Sequence, residues 1–269
     1  TKLEQTDSRI TVSDVMRYQS IRAILQAPKQ TAWYHREYDD QKPVIVLIHG
    51  IVPVSGLSLV CEELSRACNV LVIEPFTDHI MRIIGAYDYE KLVDYYCGLI
   101  FRTVPKEAEL WGFAGYSFGG QIALSTAAKY YEKTGIRKKV LMGDTFVRWV
   151  YPDKKYPVIT EDDPYIRMVQ ERSKRYGDAA VNEPLEVLMK KQNCVVSLIN
   201  SMKENRKYDG KVYYLDAKLD YDEEVEKIKM TFVKMLYSDL EIREFNKLHN
   251  DLYLKKEVLD SYLDLLLPP

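Results

Sequence analysis

The stretch of this chain that decides its fold is "ELWGFAGYSFGGQIALSTAAKYYEKTG", residues 109–135. An apolar run enters it, Ser117 stands between Gly115 and Gly119, and a segment with helical spacing leaves it. Glycines on both sides of a serine let two segments pass closely, because no β-carbon is present to collide. We therefore predict a strand that turns sharply into a helix, with Ser117 at the apex of the turn.

The alternation of strand and helix extends over most of the chain. Short β-branched apolar runs, typical of buried parallel strands, lie at residues 42–50, 69–76, 108–115, 138–146, 211–220 and 240–248. Amphipathic helical patterns lie at residues 55–68, 87–104, 119–135, 222–238 and 254–267. Two further helical stretches, 165–177 and 184–205, lie in a segment from residue 147 to about 208 that has no convincing strand. This order predicts an α/β domain whose mostly parallel sheet carries helices on both faces.

Composition excludes several classes of function. The formal net charge of −2 over 269 residues provides no attraction for nucleic acid or an anionic membrane. The longest apolar runs are far shorter than the roughly 20 residues that span a bilayer, and no leader pattern opens the chain. We expect a soluble, cytoplasmic protein. With four histidines and no metal-type spacing of its cysteines, we expect no metal site, and unbridged thiols at Cys61, Cys68, Cys97 and Cys194.

The residues around the serine match G-x-S-x-G, a pattern typical of nucleophilic serines. At such an apex the hydroxyl of Ser117 projects above the sheet, and the amide of Phe118 begins a helix and can stabilise an oxyanion. A serine needs a base to remove its proton, and His249 is the only histidine after Ser117. We interpret His49 as packing at the end of its strand and His79 as a surface residue.

The acid that would orient this histidine is not settled by the residues alone. Asp144 ends the predicted strand that follows the helix after Ser117. Asp220 ends the next predicted strand, and Asp216 lies inside that same strand. The ends of parallel strands share one rim of a sheet, so the pattern permits either strand to supply the acid.

From about residue 43 to the C-terminus the chain resembles the chain-releasing (type I) thioesterase domains of non-ribosomal peptide and polyketide synthetases, which have the α/β-hydrolase fold. The motifs that carry this resemblance are "IHG", "GYSFGG", "VLMGD" and "LHNDLYLKKEVLDSYLDLLL". It implies a catalytic triad of Ser117, Asp144 and His249, oxyanion donors at Phe118 and Ile51, and a lid at about residues 147–208. Two departures, the loop "HGIVPVSG" and the residues Lys247-Leu248, affect the expected shape of the acyl pocket.

Residues 1–27 resemble the end of an acyl- or peptidyl-carrier domain, and their apolar face is too small to fold alone. The expected organisation is a carrier remnant at 1–27 and a thioesterase domain at 28–269. The resemblance implies an upstream carrier in cis as the partner, and a substrate presented as a thioester on its phosphopantetheine arm. No metal or cofactor bound directly is implied. Hydrolysis and macrocyclisation both remain possible outcomes.

Three other functions use the same fold and stay open on the sequence. They are a stand-alone editing thioesterase, a general carboxylesterase or lipase, and a hydrolase fold retained as a non-catalytic binding module.

Overall fold

The structure is a computed structural model that describes residues 31–50, 57–73, 78–85, 87–145, 154–163, 166–167, 185–219, 223–253 and 255–266. Its strands are β1 (Ala32–Tyr34), β2 (Val44–Ile48), β3 (Asn69–Ile73), β4 (Leu110–Tyr116), β5 (Lys139–Gly143), β6 (Tyr208–Ala217) and β7 (Tyr237–Phe245). Its α-helices are α1 (Ser58–Leu64), α2 (Asp78–Ile84), α3 (Tyr89–Thr103), α4 (Phe118–Thr134), α5 (Leu185–Ser201), α6 (Glu223–Leu236) and α7 (Lys256–Leu266). A short 3₁₀-helix, His249–Tyr253, lies between β7 and α7.

The strands form one seven-stranded sheet in the order β1-β3-β2-β4-β5-β6-β7. β1 runs antiparallel to β3, and every other neighbouring pair is parallel. The predicted α/β fold is therefore confirmed, and all six predicted strands are present. β1 and α2 are missing from the prediction because, at three and seven residues, they are too short to leave a periodic pattern.

Both faces of the sheet are covered, and β2 shows why its sequence is apolar throughout. Val44, Val46 and Ile48 belong to the core cluster on one face, which also contains residues of α3, α4, α5 and α6. Ile45 and Leu47 pack on the other face against α1 and α7. Because successive side chains of a strand point to opposite faces, a doubly covered strand needs apolar residues at every position.

The second half of the predicted lid region contains α5, which packs partly into the hydrophobic core. In α5, Val195, Leu198 and Ile199 are buried in the same cluster as α3 and α4. Asn193 binds the backbone of Ile159 through its side-chain amide, accepting at 2.7 Å and donating at 3.0 Å. The helix therefore anchors the segment that precedes it.

Several predictions fall outside the described residues. They concern the carrier remnant at 1–27, the oxyanion donor Ile51, the alternative acid Asp220 and much of the lid between residues 146 and 184. Within the described part of the chain, no helix is both long and apolar enough to cross a membrane.

Candidate active site

The elbow, residues 115–119, joins the central strand β4 to α4. Ser117 lies at its apex with φ 54° and ψ −134°, a conformation that a residue with a side chain rarely adopts. A β-carbon added at Gly115 would lie 2.2 Å from the carbonyl oxygen of Gly119, so only glycine allows the strand and the helix to pass here. Ser117 occupies the N-cap position of α4 but makes no capping hydrogen bond to that helix with its side chain.

The start of α4 also lies against the end of β2. A β-carbon at Gly119 would be 2.6 Å from the backbone nitrogen of Gly50, which follows the buried His49. Gly50 therefore lies beside Phe118, the first residue of α4, where the helix dipole favours negative charge. Ile51 is the next residue along this loop and is not among those described, so its role as the second oxyanion donor stays a prediction.

Asp144 lies at the end of β5, next to the elbow. The backbone N–H of Ser117 donates to the carbonyl of Gly143 at 2.8 Å, which places the two strand ends side by side. Asp144 is fully buried, has φ 40°, and its N–H donates to the carbonyl of Leu215 at 2.7 Å. Among the described residues, Ser117 and Asp144 are the only non-glycine residues with positive φ. Strained backbone of this kind concentrates at functional sites.

His249 begins the 3₁₀-helix and reaches back to this rim. Its Nδ1 lies 2.6 Å from Oδ2 of Asp144, across 105 residues of sequence. The side chain of His249 is one-fifth exposed, whereas that of Asp144 is fully buried. The structure thus brings together the predicted acid and the predicted base, beside the elbow that carries the predicted nucleophile. The backbone of His79 lies at the start of α2, and the prediction that its side chain is on the surface falls outside what the structure describes.

The same architecture is found in solved structures of thioesterases. The NocB thioesterase domain, in a covalent complex with a fluorophosphonate nocardicin G analogue, aligns with a TM-score of 0.57 and 16% identity over 84% of this chain and 95% of that one. YbtT, a type II thioesterase from the yersiniabactin pathway, aligns with a TM-score of 0.63 and 9% identity over 88% of this chain and 98% of that one. The chain has the α/β-hydrolase fold.

A third similar structure is much longer than this chain. AB3403, a four-domain non-ribosomal peptide synthetase bound to AMP and glycine, aligns with a TM-score of 0.60 and 13% identity over 100% of this chain and 23% of that one. No protein-family model and no curated protein sequence matches the chain.

Within the α/β-hydrolase fold of this chain, Tyr116 connects the elbow to the histidine loop. Its hydroxyl donates to the carbonyl oxygen of His249, and its ring centroid lies 4.6 Å from that of the imidazole. The same ring makes an edge contact with Tyr253 at 4.8 Å. The residue before Ser117 therefore holds the backbone of the predicted base. Sequence reasoning missed this role, because nothing in the local pattern shows which loop the tyrosine meets.

Behind Asp144 lies a buried group of charges, the lysine cluster, which consists of Lys229 with Asp144, Asp216, Glu226 and Lys218. Lys229 of α6 is fully buried, and its Nζ lies 3.0 Å from Oδ1 of Asp144, 2.6 Å from Oδ1 of Asp216 and 2.8 Å from Oε2 of Glu226. Lys218 lies 3.4 Å from the second oxygen of Asp216. Asp216 therefore pairs with lysines and does not contact the histidine in place of Asp144.

The position of Lys229 in the sequence is a signal for this cluster that the sequence prediction missed. Val225, Lys229 and Val233 follow one another at intervals of four residues, so Lys229 stands within the apolar stripe of α6. A lysine at such a position is expected either to extend its amino group to the surface or to be paired with buried carboxylates. Only the tertiary structure shows that the second case holds.

The electrostatics of the cluster keep Asp144 ionised. Burial raises the pKa of Asp144, but the hydrogen bond from His249 and the positive charges of His249 and Lys229 outweigh it and hold the pKa below its usual value. Burial opposes the charge of Lys229, yet the three carboxylates raise its pKa. Burial and a hydrogen bond to Glu226 raise the pKa of Asp216 to about 6. Hydrogen bonds from Asp216 and Lys229 overcome burial and lower the pKa of Glu226, so Asp216 is the member of this pair that takes up a proton first.

These residues are suited to covalent catalysis. A buried carboxylate that contacts Nδ1 of a histidine leaves Nε2 to exchange a proton with a hydroxyl. The N-terminus of a helix such as α4 is suited to stabilising an oxyanion through its free amides. Within the described residues there is no group of three or more His, Cys, Asp or Glu side chains arranged to hold a metal ion.

Proposed function

We propose that this protein is a serine thioesterase that takes an acyl or peptidyl chain from a carrier-bound thioester onto Ser117 and then releases it. The observation that carries the proposal is the 2.6 Å contact between Asp144 and His249, beside an elbow that holds Ser117 in a strained conformation. These three residues stand in the order nucleophile, acid, base along the chain, as in other α/β-hydrolases.

The first half of the reaction transfers the chain to the enzyme. His249 removes the proton of the Ser117 hydroxyl, and the oxygen attacks the thioester carbonyl. The amides of Phe118 and Ile51 stabilise the oxyanion, each contributing about 10²–10³ in rate. Asp144 orients the imidazole and stabilises its cation. The C–S bond then breaks, the proton passes from His249 to the departing thiolate, and an acyl ester of Ser117 remains.

The second half releases the chain. His249 removes a proton from water, or from an amine or hydroxyl of the bound chain itself, and that atom attacks the ester carbonyl. The Ser117 oxygen leaves and recovers a proton from His249. Water yields a free acid, whereas an internal nucleophile yields a macrocycle.

The solved structures support a carrier-bound thioester as the substrate. NocB and Vlm2 are described as thioesterase domains, and the alignment with AB3403 extends over 100% of this chain, including the 27 residues that resemble the end of a carrier domain. We propose that a carrier domain precedes this one in the same polypeptide, in the cytoplasm. The segment from about residue 147 to α5 would form the lid over the acyl chamber.

A stand-alone editing thioesterase is the second candidate. The TM-scores for the type II enzymes YbtT and BorB, 0.63 and 0.61, are higher than the 0.57 for the NocB domain. The two candidates differ in substrate. A release domain prefers long peptidyl chains, whereas an editing enzyme prefers short acyl groups on the carrier.

The decisive experiment uses acyl- and peptidyl-cysteamine thioesters of graded length, together with the matching oxygen esters. We expect preferential turnover of the thioesters, and an intact-protein mass increase equal to the acyl group that is absent in Ser117→Ala. Turnover of oxygen esters alone would favour a carboxylesterase, and the absence of any acyl-enzyme would favour a non-catalytic module. Product masses distinguish a free acid from a cycle.

A further inference from the structure

We propose that Lys229 is a positioning residue for the proposed thioesterase reaction: its buried ammonium holds one oxygen of Asp144 so that the other faces His249 as a permanent carboxylate. This inference rests on the proposed function, since it assigns a role within the same catalytic site. Lys229 does not touch the reacting atoms and acts only through Asp144.

The two oxygens of Asp144 have separate partners. Oδ2 faces Nδ1 of His249 at 2.6 Å, while Oδ1 accepts from Nζ of Lys229 at 3.0 Å and from the backbone N–H of Ala217 at 3.3 Å. With two donors on Oδ1, rotation of the carboxylate would break both bonds. Lys229 and Ala217 therefore fix the plane of the carboxylate that orients the imidazole.

Lys229 is held in place independently of Asp144. Its Nζ also binds Asp216 on β6 at 2.6 Å and Glu226, one turn earlier on its own helix, at 2.8 Å. Two anchors on regular secondary structure locate the ammonium, whereas Asp144 lies after the end of β5 with positive φ. The lysine is thus the fixed partner, and the aspartate is the group it positions.

The positive charge of Lys229 keeps Asp144 ionised during the catalytic cycle. A base must be neutral to accept a proton, and among the described residues Lys229 is the other positively charged side chain paired with the buried Asp144. An isolated buried carboxylate tends to take up a proton. A protonated Asp144 could not stabilise the imidazolium that forms when Ser117 attacks.

The groups around Lys229 determine what its loss would do. Asp144 faces it from the end of β5, Asp216 from β6 and Glu226 from α6, while Lys218 joins Asp216 and Glu226 to Glu244 of β7. Removing the ammonium leaves Asp216 and Glu226 beside Lys218, and leaves Asp144 with His249 and the N–H of Ala217. The Asp144–His249 pair then takes up a proton more readily, because a nearby positive charge no longer opposes it.

The test measures kcat/KM for an acyl-cysteamine thioester from about pH 5 to pH 9, where the acidic limb reports protonation of the catalytic pair. In Lys229→Met we expect a fall of about 10- to 100-fold, less than the ~10⁴-fold cost of losing the carboxylate. We also expect the acidic limb to move to higher pH. Lys229→Arg keeps the charge and should keep the limb near its wild-type position, even if its larger group lowers the rate.

Lys211→Met is the matched control. Lys211 also pairs with two carboxylates, Asp239 at 3.1 Å and Glu241 at 3.5 Å, but it lies on β6 with a partly exposed side chain, and both partners lie on β7. Its replacement should change neither the rate nor the pH profile. A purely structural role for Lys229 would lower stability without moving the limb.

A second variant tests the proposal if Lys229→Met does not fold. Lys229→Met combined with Asp216→Asn removes one buried charge of each sign above about pH 6. It should keep the lowered rate and the displaced limb, whereas Asp216→Asn alone should keep the wild-type limb. A wild-type pH profile in folded Lys229→Met, or in the double variant, overturns the proposal for Lys229. Absence of thioester turnover and of fluorophosphonate labelling in the wild type would instead overturn the proposed function.

Discussion

The elbow and the lysine cluster meet at the same rim of the sheet but are built differently. In the elbow the critical contacts join backbone atoms of residues a few positions apart, such as Gly115 and Gly119. In the lysine cluster they join charged side chains 85 residues apart, as between Lys229 and Asp144. An added carbon atom disrupts the elbow, whereas a removed charge disrupts the cluster. The predictions below test this difference.

Ser117→Ala should have the largest effect, because it removes the nucleophile from the elbow without adding an atom. We expect thioester turnover to fall by ~10⁴-fold or more, with no covalent fluorophosphonate adduct by intact mass. Urea unfolding should show that the variant is folded. Equal labelling of the variant and the wild type would remove Ser117 from the mechanism.

Asp144→Asn should rank second, with a loss of about 10⁴-fold in kcat, because an amide cannot stabilise the imidazolium. Asp216→Asn is the control, since this neighbouring carboxylate contacts Lys229 and Lys218 and should change kcat only a few-fold. Stopped-flow acylation kinetics separate the two. Retained activity in Asp144→Asn would move the acid to another residue, with Asp220 as the first candidate.

Gly115→Ala tests the elbow by adding one carbon. The new β-carbon would lie 2.2 Å from backbone atoms of the elbow, so we expect the free energy of unfolding to fall by about 3 kcal/mol. Gly98→Ala in α3 is the control, because a β-carbon there meets only the mobile end of Arg102 at 3.2 Å. It should raise stability by up to ~1 kcal/mol, measured by urea denaturation. Similar losses in the two variants would contradict the close packing of the elbow.

Tyr116→Phe separates the ring contact with His249 from the hydrogen bond to its carbonyl. The ring should stay in place, and the loss of the hydroxyl should cost ~1 kcal/mol of stability and lower kcat a few-fold. Steady-state kinetics and urea unfolding measure the two effects. A wild-type kcat would show that this link does not position the histidine.

The pH dependence of stability is the smallest effect. Because the pKa of Asp216 is raised to about 6, the folded protein retains a proton between about pH 4 and pH 6 that the unfolded chain releases. The contribution of this group to stability is therefore lost as the pH rises through that window. Asp216→Asn lacks this loss, so its stability relative to the wild type should increase as the pH rises from about 4 to about 6.5. A constant difference would show that Asp216 titrates normally.

Local pattern predicted most of the fold and the rim of the site. Six strands and six helices carry periodic apolar residues, and the strand–serine–helix junction is marked by its glycines. The three residues of β1 are too few to show such a pattern, and α2 is absent from the prediction. The choice of Asp144 rested on a family resemblance, because the pattern alone left two neighbouring strand ends equivalent.

What the sequence determined by itself is local: which segments are strands and helices, and that Ser117 lies where a strand becomes a helix. These features depend on residues a few positions apart, and so local patterns in the sequence reveal them. Only the tertiary structure decided that His249 contacts Asp144 rather than Asp216, that Tyr116 supports the histidine loop, and that Lys229 is buried among carboxylates. Such pairings join residues about a hundred positions apart, and their energy depends on distance and burial that the order of residues does not specify.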